Sequence, residues 1–393
     1  MKRVIVSEKG EGFLKAGQPW MYRNNLVSAD GCSDGDPVSI FSETGEFIAS
    51  GFYSAVSHIA VRILASHQEE LDEAFFEARL RTAIDYRRTI MGDNFDNCRI
   101  VYGEADGLSG LLADRYNDTL VTQITAAGYE QRREMVYGLL LKLLKDDGVA
   151  YIYERNDLKA REKEGLPLYQ GFFGPKGETV KLISENGLKL EVDIENGQKT
   201  GYFLDQKSNR LLIRGIAAGK KVLDCFSHTG GFALNAALGN AAQVTAVDIS
   251  MTALEQAKRN AGHNALTNIT FQQADVFAYL DTLKQGDYDL IILDPPAFTK
   301  SRRTVDHAYQ GYLSINARAM NLLRKDGYLA TCSCSRYMET ALFEEMLKEA
   351  TEKEQVILRQ ISVTQQNGDH PILWQRDETS YLKFYIFQVV ERF

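Results

Sequence analysis

Apolar and polar positions follow three different rhythms along the chain. Over the first 67 residues, short runs such as Pro37-Val38-Ser39-Ile40-Phe41 alternate at roughly every second position, as does the stretch over 58–64. Turn chemistry interrupts them at Asp34-Gly35-Asp36-Pro37, at Thr44-Gly45-Glu46 and at Gly51. Period two with Gly, Pro and Asp breaks is the pattern of half-buried strands, so residues 1–68 are expected to form a small β-barrel-like module. From Glu69 to Ile90 the pattern changes to that of a helix, with apolar residues at Leu71, Ala74, Phe75, Ala78, Leu80, Ile84 and Ile90. Strands are then expected over 98–102, 110–116, 119–125 and 149–153, with a helix over 129–144 before the last. Together these elements describe an α+β middle domain over 69–178. Residues 160–180, rich in Gly, Lys and Glu, read as a linker.

A hairpin is expected over 182–194, with Asn186-Gly187 at its tight turn. After Asp205 strands and helices alternate. Strand candidates are 221–224, 243–248, 269–272, 290–294 and 327–333; helices fall at 229–238, 251–265 and 318–323. Strands that are nearly continuously apolar, separated by helices, predict a doubly wound parallel α/β sheet. The fold class is therefore α/β, with a Rossmann-like domain over 179–393 behind the two smaller ones.

Composition changes this picture little: 44% hydrophobic and 25% charged residues are ordinary for a globular chain. No apolar run approaches the roughly 18 residues of a membrane span, and the N-terminus lacks the apolar core of a signal peptide, which points to the cytoplasm. Cys32, Cys98, Cys225, Cys332 and Cys334 form no CxxC pair, and the six histidines show no ligand spacing. No metal and no disulfide framework is expected. The net charge of −8 leaves only local basic segments for a polyanion: Tyr86-Arg87-Arg88, residues 159–163 and Lys300-Ser301-Arg302-Arg303.

Candidate chemistry gathers at the strand ends of the last domain. The strand over 221–224 ends in Asp224, and Gly230-Gly231 opens the next helix, where glycines let a ligand approach the backbone. The following strand ends in Asp248, a carboxylate suited to a ribose diol, and Asp275-Val276 follows the third, suited to an adenine amino group. Carboxylates without a phosphate cradle favour an adenosine that carries no phosphates, and S-adenosylmethionine fits better than a nicotinamide dinucleotide. The fourth strand ends in Asp294 and is stopped by Pro295-Pro296. Two prolines make a rigid loop able to hold a flat base through main-chain oxygens and Asp294, with Phe298 to stack on it. The last strand carries Cys332 and Cys334, which at period two face one side. A thiolate there suits addition to carbon 6 of a pyrimidine, which makes carbon 5 nucleophilic enough to accept a methyl group; the residues themselves leave open which cysteine acts.

The succession of KTGYFLDQ over 199–206, DCFSHTGGF over 224–232, then VDIS, DVF, LDPPAF and SCS resembles the RlmI-type large-subunit rRNA cytosine-5 methyltransferases. The resemblance covers nearly the whole chain and includes a PUA domain around Gly17-Gln18-Pro19-Trp20. It implies a class I methyltransferase that uses S-adenosyl-L-methionine, with the PUA-like domain holding RNA, expected to be large-subunit rRNA. By the same resemblance Cys334 is the nucleophile and Asp294 holds the cytosine edge, with Pro295, Pro296, Phe298, Lys199 and Tyr202 around the substrate. Gln206, Asp224, Phe226, Ser227, Thr229 and Gly230 surround the methionine end of the cofactor, Asp248 and Ile249 its ribose, and Asp275 and Val276 its adenine, with Asp294 also counted among the cofactor-binding residues. Position 297 is alanine, as in the branch of such enzymes that lacks a second cysteine in this loop.

Alternatives are an RNA guanine N-methyltransferase, which needs no nucleophilic cysteine, a non-catalytic RNA-binding protein, and a small-molecule methyltransferase. Neither the target nucleotide nor the oligomeric state follows from the residues, although a homodimer is one candidate assembly.

Overall fold

The computed structural model describes residues 1–299 and 301–393, so Lys300 of the last basic segment lies outside the described residues. The chain forms two compact units. The first comprises 1–183, 192–204 and 368–379, and the second 184–191, 205–367 and 380–393. Segments 192–204 and 368–379 thus fold with the first unit, although both lie within the span expected to be the C-terminal domain.

The first unit contains a six-stranded sheet built from residues 2–65 and a five-stranded sheet from residues 97–173. The first sheet packs on helices through apolar contacts: Phe52 stacks on Phe76 of helix Glu73–Met91 at 6.0 Å and meets Tyr129 of helix Ala127–Glu130 edge-on at 5.2 Å. Helix Glu73–Met91 buries Phe75, Leu80 and Ile84 of the expected apolar set together with Phe76, whereas Ala74, Ala78 and Ile90 of that set are exposed. Its start is set by Asp72, whose carboxylate accepts the Phe75 N–H at 3.0 Å. Removing that cap in Asp72→Ala should cost about 1 kcal/mol of stability, readable as a shift of the urea midpoint without a change in slope.

Two sequence expectations change in this unit. The stretch 160–180 is not a plain linker, because Tyr169–Phe173 adds an antiparallel edge strand beside Tyr151–Asn156. A strand that packs chiefly through aromatic rings (Phe172 on Tyr153, Phe173 on Tyr137) is easily hidden among glycines and lysines. One arginine of each of two basic segments also turns inward. Arg87 is fully buried, bound to Asp106 and to the Arg99 and Asp369 carbonyls. Arg161 is likewise buried, donating to the Ile124 and Pro167 carbonyls and to Glu130. Their charges satisfy backbone inside the fold and do not face a polyanion.

The second unit is a seven-stranded sheet: β1 Lys221–Cys225, β2 Gln243–Asp248, β3 Ile269–Gln273, β4 Leu290–Leu293, β5 Tyr328–Ser333, β6 Val356–Thr364 and β7 Lys383–Arg392. Its order is β3-β2-β1-β4-β5-β7-β6. The first five are parallel, as the alternation predicts. The last two are additions that the strand pattern did not reveal, and β7 runs antiparallel between β5 and β6. Helices are α1 Lys207–Ile216, α2 Gly231–Leu238, α3 Met251–His263, α4 Val276–Thr282, α5 Val305–Leu322 and α6 Thr340–Glu354. Helix α5 is far longer than the 318–323 expected.

Successive strand residues point to opposite faces, and the core divides accordingly. Val222, Ile292, Ala330 and Phe384 pack with α1 and α2 through Ile213 and Phe232. Leu223, Ile291, Leu329 and Tyr385 pack with α4, α5 and α6 through Leu280, Tyr312 and Phe343. With both faces covered, the strands read as continuous apolar runs: all four residues of β4 are buried. Among the described residues no helix is long and apolar enough to cross a membrane.

Candidate active site

Four aspartates stand at or just beyond the carboxyl ends of β1 to β4: Asp224, Asp248, Asp275 and Asp294. In an open α/β sheet this edge is where ligands bind, because the loops diverge on either side of the first strand.

Asp224 is fully buried, and its Oδ2 accepts the Ala233 N–H at 2.9 Å. Its Oδ1 has no partner, and neither has the buried Ser227 Oγ in the adjoining turn. Burial pushes the Asp224 carboxyl well above the ordinary carboxylate range, and the nearby Asp294 and Asp248 charges push it further. Orphaned polar atoms inside a core are costly unless a ligand completes them. An amino-acid end with an ammonium and a carboxylate would do so.

The turn between β1 and α2 shows the strain of a built site. Phe226, His228 and Gly230 all take positive φ, at 61°, 49° and 84°. For the two side-chain-bearing residues that costs on the order of 1 kcal/mol or more each. The turn is held there by Ser227 N–H donating to the Val247 carbonyl at 3.0 Å and His228 N–H donating to Asp248 Oδ2 at 2.8 Å. A Cβ on Gly230 would come 3.0 Å from that of Ala257, so this position has room only for glycine. Thr229 is buried in the same turn.

Asp248 accepts a second backbone N–H, from Ser250, on Oδ1 at 2.8 Å. Each oxygen therefore keeps one lone pair for a hydroxyl. Ile249 beside it is 69% exposed, an apolar side chain placed to cover a flat ring. Asp275 caps α4 by accepting the Ala278 N–H at 3.0 Å, and Val276 is buried behind it. The donors and the orphan atoms together fit S-adenosylmethionine.

On the other side of β1, Asp294 Oδ1 accepts from Cys332 Sγ at 2.9 Å and from Gln206 Nε2 at 3.2 Å. Gln206 is itself oriented by Asn209, which donates to its Oε1 at 2.7 Å and accepts from Thr364. Gln206 thus positions Asp294, a role that its expected place beside the cofactor did not suggest. Pro295 is buried and Pro296 exposed. Phe298 packs on Tyr312, with ring centroids 4.6 Å apart, and Tyr312 also accepts the Ser333 hydroxyl at 3.0 Å.

The two cysteines part company at the end of β5. The strand stops at Ser333, so the expected alternation does not carry through to Cys334. Cys332 is fully buried, and burial together with the Asp294 charge pushes its thiol well above the ordinary range. Cys334 lies beyond the strand, half-buried, with Sγ 4.0 Å from the Pro295 carbonyl oxygen. One residue here escaped sequence reasoning: Lys383, buried at the start of β7, whose Nζ donates to the Ser335 and Tyr381 carbonyls at 2.7 and 2.9 Å. The available signal was a lone lysine opening an otherwise apolar run, KFYIF. Lys199 and Tyr202, expected at the substrate, belong to the first unit. Lys199 is exposed, with its ammonium over the Phe203 ring, and Tyr202 is buried, accepting from the Tyr116 hydroxyl at its carbonyl.

Comparison with known proteins agrees with this architecture. Residues 172–387 match the family described as S-adenosylmethionine-dependent methyltransferase, and residues 4–66 match the PUA-like domain. Proteins named ribosomal RNA large subunit methyltransferase I, from Erwinia tasmaniensis and Klebsiella pneumoniae, are each 37% identical over 396 residues. The alignments cover 99% of this chain and 99% and 98% of those chains, respectively. A solved structure described as a SAM-dependent methyltransferase from Streptococcus mutans superposes with a TM-score of 0.83 at 23% identity, over 99% of this chain and 100% of that one, and shows the same fold.

Proposed function

The chain belongs to the ribosomal RNA large subunit methyltransferase I family of S-adenosylmethionine-dependent methyltransferases, and from that premise we propose that it forms 5-methylcytosine in large-subunit rRNA through a covalent adduct at Cys334. The observation that carries this reading is the contrast between the two thiols. Cys332 is sealed in the core as a neutral donor to Asp294, whereas Cys334 stands half-open beside the Pro295-Pro296 loop.

Asp224, Ser227 and Asp248 would hold the cofactor, with Thr229 and Gly230 shaping the turn and Ile249, Asp275 and Val276 at its adenosine. When bound, S-adenosylmethionine supplies an electrophilic methyl group. A cytosine turned out of its strand meets the rigid proline loop, where Asp294 can accept from its exocyclic amine. The Cys334 sulfur adds to carbon 6, and the displaced π pair makes carbon 5 the nucleophile that takes the methyl group. Loss of the carbon-5 proton and cleavage of the sulfur–carbon bond then restore the ring. Alanine at 297 means that no second cysteine stands after Pro296 to take part in that release. The PUA-like domain gives an acidic chain a separate module for holding RNA.

The test is transfer of labelled methyl groups to protein-free large-subunit rRNA, followed by nucleoside analysis. Label recovered as 5-methylcytosine is the expected result. Label recovered as an N-methylguanine would overturn the chemistry while leaving the methyltransferase assignment intact.

A further inference from the structure

We propose that Lys383 is the proton acceptor for the Cys334 thiol, an inference that rests on the reading of Cys334 as the nucleophile. Lys383 opens β7 directly across the antiparallel ladder from Ser333, the residue before Cys334. Its ammonium nitrogen is threaded between two backbone carbonyls, Ser335 on the far side of Cys334 and Tyr381 on its own strand. The chain segment that carries Cys334 is therefore tied to Lys383 on both sides, through the backbone ladder at Ser333 and through the amine at Ser335. The ionisable groups acting on it are Cys334, Cys332 and Glu339, and among the described residues no carboxylate pairs with it.

A structural lysine in such a position would be expensive. Burying an ammonium without a carboxylate partner disfavours the charged form, and here burial lowers the amine to about 8, which leaves about a tenth of it neutral and able to take a proton at pH 7. The hydrogen-bond count gives the neutral form a purpose. A neutral amine has two N–H donors, which the two carbonyls satisfy, and one lone pair left over. If that lone pair takes the Cys334 proton, the product is an ammonium whose third N–H faces the thiolate. The ion pair replaces two neutral groups, and no charge is left uncompensated. After the sulfur leaves carbon 6 as a thiolate, the same ammonium can return the proton, so the step closes on itself.

Lys383 acts through Cys334, and its test must therefore read the thiol and not turnover alone. The rate of Cys334 alkylation by iodoacetamide is measured against pH, by peptide mass spectrometry, in the full chain without RNA. In the wild type the rate should already be substantial at neutral pH. In Lys383→Met the profile should move up to the ordinary thiol range near 8.5, with a rate at pH 7 about tenfold lower. Lys383→Gln guards against misfolding, since an amide can still donate to both carbonyls but cannot take a proton. It should behave like Lys383→Met, with cofactor binding retained in calorimetry. A wild-type alkylation profile in the glutamine variant would overturn the proposal and leave Lys383 as a structural tie. If instead Cys334→Ala keeps full methyl transfer while alkylation still depends on Lys383, the covalent mechanism falls and the thiol–amine pairing stands.

Discussion

Replacing Cys334 with alanine is expected to lower methyl transfer to rRNA by on the order of 10⁴-fold or more, the scale on which deletion of a covalent nucleophile registers. Cys332→Ala is expected to keep activity within about tenfold of wild type, since it removes one neutral hydrogen bond to Asp294 and leaves the one from Gln206. The difference follows from the positions of the two sulfurs. A nucleophile must reach a base that enters from solvent, and it must be a thiolate when it does. Cys332 satisfies neither condition, being sealed in the core with its thiol pushed up by burial and by Asp294. Cys334 lies past the strand end, where a base held by the proline loop can be met. Single-turnover assays with labelled cofactor decide the matter. Retained activity in Cys334→Ala would end the covalent mechanism, and loss confined to Cys332→Ala would move the nucleophile two residues inward.

Asp224 carries the second large effect. Asp224→Asn is expected to weaken S-adenosylmethionine binding by about 2–5 kcal/mol, the range for losing one partner of a buried charge pair. The reason is the unpartnered Oδ1, whose natural complement is the ammonium of the cofactor. The pH dependence has a definite sign. In the free protein burial holds the Asp224 carboxyl well above the ordinary carboxylate range, so the folded state binds this proton more tightly than the unfolded state does. Its contribution to stability is therefore favourable at low pH and is lost as pH rises through the folded value. A cationic ligand favours the carboxylate, so binding should release a proton, and affinity should increase as pH rises through that window. Calorimetry in buffers of different ionisation enthalpy measures the released proton directly. Asp224→Asn should bind without proton release; unchanged release in that variant would assign the proton to another group.

These two sites were legible to different degrees. The carboxylates at 224, 248 and 294 could be read directly, because each ends an apolar run and the sheet edge is the place where such runs stop, while Asp275, after Gln272-Gln273-Ala274, was read from its place in that series. The proline loop was legible for the same reason. The resemblance places Gln206 at the cofactor; that its amide also donates to Asp294 is visible only in the fold. Lys383 could not be placed at all, since it lies 49 residues beyond Cys334 and reaches it only through antiparallel pairing of β7 with β5.

By itself, then, the residue pattern determined the class of fold, the five parallel strands and the row of acids at their ends, because these depend on local periodicity and on chain-local stops. The tertiary structure decided what depends on long-range pairing. It inserted β7 between β5 and β6, it drew residues 368–379 into the first unit, and it turned Arg87 and Arg161 inward to satisfy carbonyls. It also separated two cysteines that the sequence left equivalent. A period-two count puts both sulfurs on one side, whereas beyond the end of β5 at Ser333 the backbone leaves that alternation, so that Cys332 is buried in the core and Cys334 half-buried past the strand.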